Sequence, residues 1–131
     1  MITAPDDGGD ERFRKSERLR KRYQFLHARR RGRRAEGRWV VVYAVANDVG
    51  HPRLGVTASR RVGNAVVRNR WKRRLRDIFR RSKERFGASF DVVIIVKHSR
   101  QMPEFDALRR DVYKAVDRAT GAGRGRGEKR R

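Results

Sequence analysis

The sequence contains no cysteine and few acidic residues, and each absence excludes a class of protein. Without cysteine, the 131-residue chain has no disulfides, no Cys-based zinc site and no thiolate nucleophile. Its longest apolar run, residues 39–46, is too short to span a bilayer, and the N-terminus has no apolar signal region. The sequence therefore predicts a soluble, cytoplasmic protein that does not bind membranes and has one modest core.

Basic residues are present in large excess. The chain has 37 Lys and Arg against 15 Asp and Glu, which gives a formal net charge of +22. Most of this charge is arginine, whose planar guanidinium binds phosphate through paired hydrogen bonds and stacks on bases. We therefore expect a polyanionic partner, and nucleic acid is favoured over a membrane surface because no wide apolar helix face accompanies the charge.

The two ends of the chain differ from its middle. Residues 1–16 contain four acids, two glycines and one proline with almost nothing apolar, so they are predicted to be a disordered extension. Residues 121–131 alternate glycine with arginine and are predicted to be a flexible basic tail. A single RNA-binding domain is expected over residues 17–120.

Hydrophobic periodicity predicts three helices and three strands in this domain. The helices are expected from residue 19 to before Gly32, over 65–82 and over 103–119, and the strands over 39–45, 53–59 and 91–97. The strand at 39–45 is apolar on both faces, with Trp39, Val41 and Tyr43 on one of them, which predicts a central position. The turn residues at 47–52 predict a hairpin to the next strand. This order indicates an α+β sandwich with a small mixed sheet.

The basic helix is the most informative segment. Residues 60–81 contain ten basic side chains and one acid, while Val67, Trp71, Leu75, Ile78 and Phe79 recur at helical spacing and predict a buried stripe. Arginines repeat at i,i+4 on the other side, which costs a few tenths of a kcal/mol per like-charge pair. An anionic partner is therefore a better explanation than a solvated helix face. Asn64 is predicted to cap the helix, and Arg68 to lie at the rim of the stripe.

Aromatic and titratable residues give weaker signals. Phe25, Trp39 and Tyr43 are candidates for stacking on RNA bases, although core packing is an open alternative for each, and Trp71 is predicted to be buried. His27, His51 and His98 are scattered without metal-ligand spacing, and Asp77 and Asp91 are predicted to pair with nearby arginines. The chain is therefore not expected to cleave phosphodiesters by itself.

The stretch from Ser59 to Arg76 closely resembles the signature of the bacterial ribonuclease P protein component, with Arg68, Asn69 and Arg70 matching its Arg-Asn-Arg core. The resemblance covers residues 18–119. It includes positions that match the family outside the basic helix: Arg18, Leu19, Phe25, Gly32, Tyr43, Arg53, Gly55 and Asp91.

The resemblance implies a division of labour. A catalytic RNA, with Mg²⁺ held mainly by that RNA, would remove the 5′ leader of precursor tRNA. The protein would bind the leader, broaden substrate recognition and support RNA folding, without an obligate protein partner. The residues implied to contact the catalytic RNA and its substrate are Arg60, Arg61, Asn64, Arg68, Asn69, Arg70, Lys72, Arg73 and Arg76. Those implied to form the leader cleft are Phe25, Arg29, Val41 and Tyr43.

The resemblance also implies a left-handed β-α-β crossover around the basic helix and four strands, against the three predicted from periodicity. Two positions depart from the family: Arg29 replaces a second aromatic, which favours phosphate contact over stacking, and Lys97 replaces an arginine. A ribosomal protein is an alternative that composition alone leaves open. A helix-turn-helix DNA binder is disfavoured because a strand precedes the basic helix, and a self-sufficient nuclease lacks the expected carboxylate cluster.

Overall fold

The computed structural model describes residues 12–98 and 101–121, which form three helices and four strands. The helices are α1 (Arg22–Arg31), α2 (Ala65–Arg81) and α3 (Phe105–Thr120). The strands are β1 (Arg33–Glu36), β2 (Val40–Ala46), β3 (Arg53–Thr57) and β4 (Phe90–Val96). The predicted α+β class with a small mixed sheet is confirmed. Within the described part of the chain, no helix is long and apolar enough to cross a membrane.

The sheet has the strand order β1-β2-β4-β3. β2 is antiparallel to both β1 and β4, so its predicted central position is confirmed, whereas β3 runs parallel to β4. The predicted hairpin between β2 and β3 is wrong, because β4, which is apolar on both faces, lies between them. Parallel neighbours need a crossover connection, and α2 supplies it between β3 and β4. The left hand of this crossover stays a prediction.

β1 is the strand that periodicity missed. Only Ala35 in this strand is apolar and buried, so four residues show no alternation that could be recognised. Its hairpin to β2 is stabilised from α3, where the two carboxylate oxygens of Asp111 accept hydrogen bonds from the backbone N–H groups of Arg38 (2.8 Å) and Trp39 (2.9 Å). A residue distant in sequence therefore fixes this turn.

The main core lies between the sheet and the helices α2 and α3. The predicted stripe of α2 is confirmed, with Trp71, Leu75, Ile78 and Phe79 all buried, while Val67 is half-buried at its edge. A second, smaller cluster on the opposite sheet face contains Leu19, Ala28 and Val93 and lies under α1. Trp39 was predicted to share a sheet face with Val41 and Tyr43, but it precedes β2 and packs against the main core instead.

The N-terminal part of the described chain is packed rather than extended into solvent. The ring of Phe13 meets that of Phe79 edge-on, with centroids 5.4 Å apart, so the ordered fold includes residues that composition placed in the extension.

Leu19 was predicted to begin the first helix. Its backbone N–H instead donates to the carbonyl of Leu54 (2.9 Å), and α1 begins at Arg22. The rest of the predicted extension (1–11) and nearly all of the predicted tail (122–131) lie outside the described residues.

Candidate nucleic-acid interface

The outer face of α2 presents the cations that the sequence predicted. Asn64 caps the helix as expected, because its Oδ1 accepts the N–H of Val67 at 3.0 Å. Two of the predicted RNA-contact residues, Arg68 and Lys72, are half-buried. The others are exposed along the helix and the short turn before it: Arg60, Arg61, Asn64, Asn69, Arg70, Arg73 and Arg76. All nine predicted RNA-contact residues therefore lie on α2 or just before it.

Arg68 differs from its neighbours on this surface. It was expected at the rim of the apolar stripe, and it is half-buried there, with its Nε donating to the carbonyl of Gly63 at 3.2 Å. This hydrogen bond orients the guanidinium towards the turn that precedes α2. Arg68 therefore contributes to the shape of the helix N-terminus as well as to its charge.

The acidic residues in the described part of the chain do not balance the charge of α2. Asp77 is the only acid of the helix, and it pairs with Arg80 (2.6 Å) and Arg81 (3.6 Å) within the same helix. Among residues 12–98 and 101–121, no carboxylate lies within ion-pair distance of Arg70, Arg73 or Arg76. A surface with so large an excess of cations attracts phosphates and releases counterions when it binds them.

A cleft of about 410 Å³ lies on the opposite sheet face, between α1 and the strands β3 and β4. α1 begins at Arg22 because the side-chain Oε1 of Gln24 accepts the free N–H groups of Arg20 and Lys21, both at 2.9 Å. The cleft is lined by apolar residues at its base and arginines at its rim: Phe25, Leu26, Val93, Ile95, Thr57, Arg20, Arg22 and Arg29.

Phe25 is seated directly on the sheet. A Cβ atom built at Gly55 would lie 2.7 Å from the Phe25 ring, so the ring occupies the space that any other residue at position 55 would need. The sheet register places Val41 beside Ile95 and Tyr43 beside Val93 on the same face. The structure therefore brings all four predicted cleft residues, Phe25, Arg29, Val41 and Tyr43, to one side of the sheet.

Sequence reasoning missed six of the residues that line the cleft: Arg20, Arg22, Leu26, Thr57, Val93 and Ile95. The alternation within β4 separates Val93 and Ile95 from the core-facing Val92 and Ile94, and this was the available signal. Periodicity alone could not show which of the two faces was covered by α1. The cleft residues of β4 could therefore be found only after the strand pairing was known.

Tyr43 lies between two arginines. The guanidinium of Arg29 is 5.6 Å from the centroid of the Tyr43 ring. The Tyr43 hydroxyl, and then the carboxylate of Glu36, raise the pKa of Arg34 above its ordinary value. Arg29 thus lies over the Tyr43 ring. A planar cation can make this contact at a position where the family resemblance implied an aromatic side chain.

The free edge of the sheet near Tyr43 contains a small charge network. Lys97 Nζ contacts Glu36 Oε2 at 2.6 Å and donates to the carbonyl of Gly37 at 3.1 Å. Lys97, followed by Arg34, lowers the pKa of Glu36 below its ordinary value. Lys97 therefore holds the β1–β2 turn, and its charge is partly compensated within the protein.

Three further titratable residues, Asp77, Asp91 and His98, have structural partners. Asp91 is buried and accepts from Arg53 Nε (2.8 Å) and Nη2 (2.9 Å), so the predicted pairing of Asp91 is confirmed, as is that of Asp77. The ring Nδ1 of His98 lies 2.7 Å from the carbonyl of Arg61. Within residues 12–98 and 101–121, no group of three or more His, Asp or Glu side chains is placed to hold a metal ion.

Comparisons with known proteins agree with this architecture. A family model described as Ribonuclease P matches residues 13–120. The ribonuclease P protein component of Syntrophus aciditrophicus is 46% identical over 85 residues, which are 65% of this chain and 71% of that protein. The corresponding protein of Citrifermentans bemidjiense is 35% identical over 81% of this chain and 90% of its own length.

Solved structures show the same fold. The RNase P protein from Thermotoga maritima superposes with a TM-score of 0.71 at 32% identity, covering 78% of this chain and 96% of that one. The Staphylococcus aureus RNase P protein gives a TM-score of 0.71 at 27% identity, with 80% and 96% covered. The chain therefore belongs to the ribonuclease P protein family, the protein components of the ribonucleoprotein that processes the 5′ ends of tRNA.

Proposed function

We propose that this chain binds the 5′ leader of precursor tRNA in the cleft under α1 while the RNA subunit of ribonuclease P carries out the cleavage. Membership of the family makes the chain a protein subunit whose partner is the ribonuclease P RNA. The observation that carries the proposal is the separation of two unlike surfaces. One is the strongly cationic face of α2, and the other is an apolar, arginine-rimmed cleft on the opposite side of the sheet.

The cationic face of α2 suits the folded RNA subunit. Its exposed arginines can contact phosphates wherever RNA strands converge, and each contact releases counterions from the RNA. Neutralising phosphate repulsion in this way would support RNA folding and the binding of Mg²⁺, which in this proposal is held mainly by the RNA. The residues proposed for this contact are Arg60, Arg61, Asn64, Arg68, Asn69, Arg70, Lys72, Arg73 and Arg76.

The cleft suits a single strand. Phe25 is half-buried, so part of its ring remains available for stacking with an unpaired base, and Val41 and Tyr43 lie on the same face of the sheet. Arg29, with Arg20 and Arg22 at the rim, can contact the phosphates that connect the bases. A base-paired helix would hide its ring faces and gain little from this arrangement, which is why an unpaired leader is the proposed ligand.

The experiment that tests the cleft is Phe25→Ala in the reconstituted ribonucleoprotein, with affinities measured for precursor and mature tRNA. We expect the variant to lose about 1–3 kcal/mol, roughly 5- to 150-fold, for leader-bearing RNA only. Tyr23→Ala is the matched control, because Tyr23 is on the same helix with 67% of its surface exposed. Equal losses for the two RNAs would reject the cleft as the leader site.

A second experiment tests the division of labour. Cleavage of precursor tRNA is measured with the protein alone, the RNA subunit alone and the two together, at matched Mg²⁺ concentrations. We expect leader removal by the RNA at high Mg²⁺ and by the complex at lower Mg²⁺, and none by the protein. Cleavage by pure protein would contradict the proposal that the catalytic groups belong to the RNA.

A further inference from the structure

The charge network at the free edge of the sheet lies on the same face as the leader cleft. β1 pairs with β2 so that Arg34 lies opposite Tyr43 and Glu36 lies opposite Val41. Residues that are directly opposite in an antiparallel pair point to the same face of the sheet. Arg34 and Glu36 therefore share the face of the cleft residues. With Lys97, we call them the edge network.

Lys97 joins the edge network from the end of β4. Its backbone N–H donates to the carbonyl of Trp39 at 2.9 Å, which continues the ladder between β4 and β2 beyond Val96. Because side chains alternate along a strand, Lys97 shares the face of Ile95, which lines the cleft. Lys97 Nζ lies 2.6 Å from Glu36 Oε2. The edge network is therefore a charged continuation of the cleft floor.

The edge network is open to solvent. α1 ends at Arg31 and β1 begins opposite Ala44, so Glu36 lies at the end of β1 that is farther from the helix. The side chains of Arg34, Glu36 and Lys97 are 52%, 47% and 33% exposed. Ion pairs with this exposure are weak, because water competes for both partners and the long side chains lose conformational freedom. Another anion could therefore exchange with the Glu36 carboxylate.

The carboxylate of Glu36 is held between two cations. Its distance to Lys97 Nζ is 2.6 Å and its distance to Arg34 Nη2 is 3.2 Å. The main chain at Glu36 is also fixed, because its carbonyl accepts a hydrogen bond from Arg118 Nη2 of α3 at 3.0 Å. Glu36 therefore keeps an anion at this position of the free protein.

The groups around this carboxylate are those that bind a phosphodiester. Arg34 offers a planar set of N–H donors and Lys97 a compact ammonium group. Across the strands, Val41 lies between Glu36 and Ile95, which places Glu36 two strand spacings, roughly 10 Å, from the floor of the cleft. A single strand that leaves the cleft over Val41 would bring its phosphates to these cations.

We propose that Glu36 is a specificity-determining residue that occupies a phosphate subsite beside the leader cleft and thereby weakens the binding of leaders that extend over β1. The inference rests on the proposed function, because the leader is the strand to which we assign the phosphate. In the wild-type protein this phosphate must displace the carboxylate from Lys97 and Arg34 or meet its negative charge. The edge network therefore holds the leader less tightly than its two cations alone would.

The test compares Glu36→Gln with Asp106→Asn in the reconstituted ribonucleoprotein. Asp106 is the matched control, because it is an exposed acid that pairs with Arg109 at 3.2 Å and belongs to α3, on the opposite face of the sheet. We expect Glu36→Gln to bind leader-bearing precursor tRNA about three- to fivefold more tightly, with no change for mature tRNA. Asp106→Asn should change neither affinity. A gain shared by mature tRNA or by Asp106→Asn would reveal a general charge effect and overturn the proposal.

A double-mutant cycle identifies the group that gains the phosphate. In a Lys97→Met background, which keeps the side-chain stem and removes the charge, Glu36→Gln should lose most of its gain. In an Arg110→Ala background the full gain should remain, because Arg110 is an exposed residue of α3. Gains of equal size in both backgrounds would show that Lys97 does not hold the phosphate and would reject the subsite.

Stability and affinity should change in opposite directions. Glu36→Gln removes two ion pairs, so the free protein should unfold at a slightly lower temperature at neutral pH while its affinity for precursor tRNA rises. The ratio of precursor to mature affinity should also become more dependent on salt, with a slope larger by about 0.7 for one added phosphate contact in a single strand. A purely structural Glu36 would lower the unfolding temperature without any gain in affinity, and that result would contradict the proposal.

Phe25→Ala in the same assay separates this inference from the proposed function. If Phe25→Ala loses precursor discrimination and Glu36→Gln gains nothing, the edge subsite is rejected and the cleft is kept. If Phe25→Ala has no effect, the leader cleft itself is rejected, and the inference falls with it. A gain of Glu36→Gln in affinity for the RNA subunit alone would assign the phosphate to that RNA and overturn our source.

Discussion

The outer face of α2 and the leader cleft differ in how they are built. The α2 face comes from one helix, and its cations have few partners among the described residues. The cleft is assembled from α1, β3 and β4, and its base is apolar with charge only at the rim. Under the proposed function, one small fold would offer RNA two kinds of contact, with phosphates on one side of the sheet and with base faces on the other.

Salt should separate the two surfaces most strongly. Affinity for the RNA subunit is expected to fall by about 10³- to 10⁵-fold between roughly 50 and 200 mM salt if six to ten phosphates are contacted. The ratio of affinities for precursor and mature tRNA should change far less, because stacking on Phe25 does not release counterions. Both quantities can be measured by filter binding with the same protein samples. If the affinity for the RNA subunit and the precursor-to-mature ratio fell with salt at the same slope, the two surfaces would not differ as charge-driven and stacking-driven.

Gly55→Ala should damage the cleft while sparing α2. The new methyl group would lie 2.7 Å from the Phe25 ring, so Phe25 must move, and we expect a loss of about 1–3 kcal/mol in unfolding free energy. Discrimination between precursor and mature tRNA should decrease, with unchanged binding to the RNA subunit. Val56→Ala is the control, because Val56 packs against the main core on the opposite face. If both variants lose discrimination equally, stability rather than the position of Phe25 is responsible.

Glu36→Gln should have the smallest effect and should depend on pH. Lys97 and Arg34 lower the pKa of Glu36 in the folded protein. Their contacts with Glu36 therefore stabilise the folded protein fully at pH values above the ordinary carboxyl pKa. That contribution is lost as the pH falls through the lowered folded value. The wild-type protein should therefore unfold at a slightly higher temperature than the variant at neutral pH, and the difference should vanish in acid. A difference that grows as the pH falls would contradict this assignment.

The sequence could predict α2 in detail because the information lies within one element. The stripe of Trp71, Leu75 and Ile78 identified its buried side, and Asn64 identified its first residue. The strand pairing could not be predicted in this way. Turn residues after β2 show that the strand ends there, but they do not show whether the next strand pairs with it or lies elsewhere in the sheet. The position of β4 between β2 and β3 is decided by which strand buries most on both faces, and that is a property of the whole sheet.

The cleft shows the same limit more clearly. Phe25, Val41 and Tyr43 were assigned to the cleft through the family resemblance. No local sequence pattern connects Phe25 in α1 with residues of β2, because the strand between them, β1, was not recognised. Residues 12–16 show a different failure, because average composition hides a single well-placed aromatic. Phe13 packs against Phe79 and, together with the nearby ion pair of Glu17 with Lys83, attaches a segment that is otherwise mostly charged.

The position of β4 has a consequence for how the protein is made. β2 and β3 pair only through β4, which is the last strand to be synthesised, and Asp111 of α3, which holds the β1–β2 turn, follows later still. A nascent chain that ends before residue 90 therefore contains the whole basic helix without the central strand beside it. The sheet cannot close until most of the chain has left the ribosome, so the α2 face and the cleft are completed at nearly the same moment, at the end of synthesis.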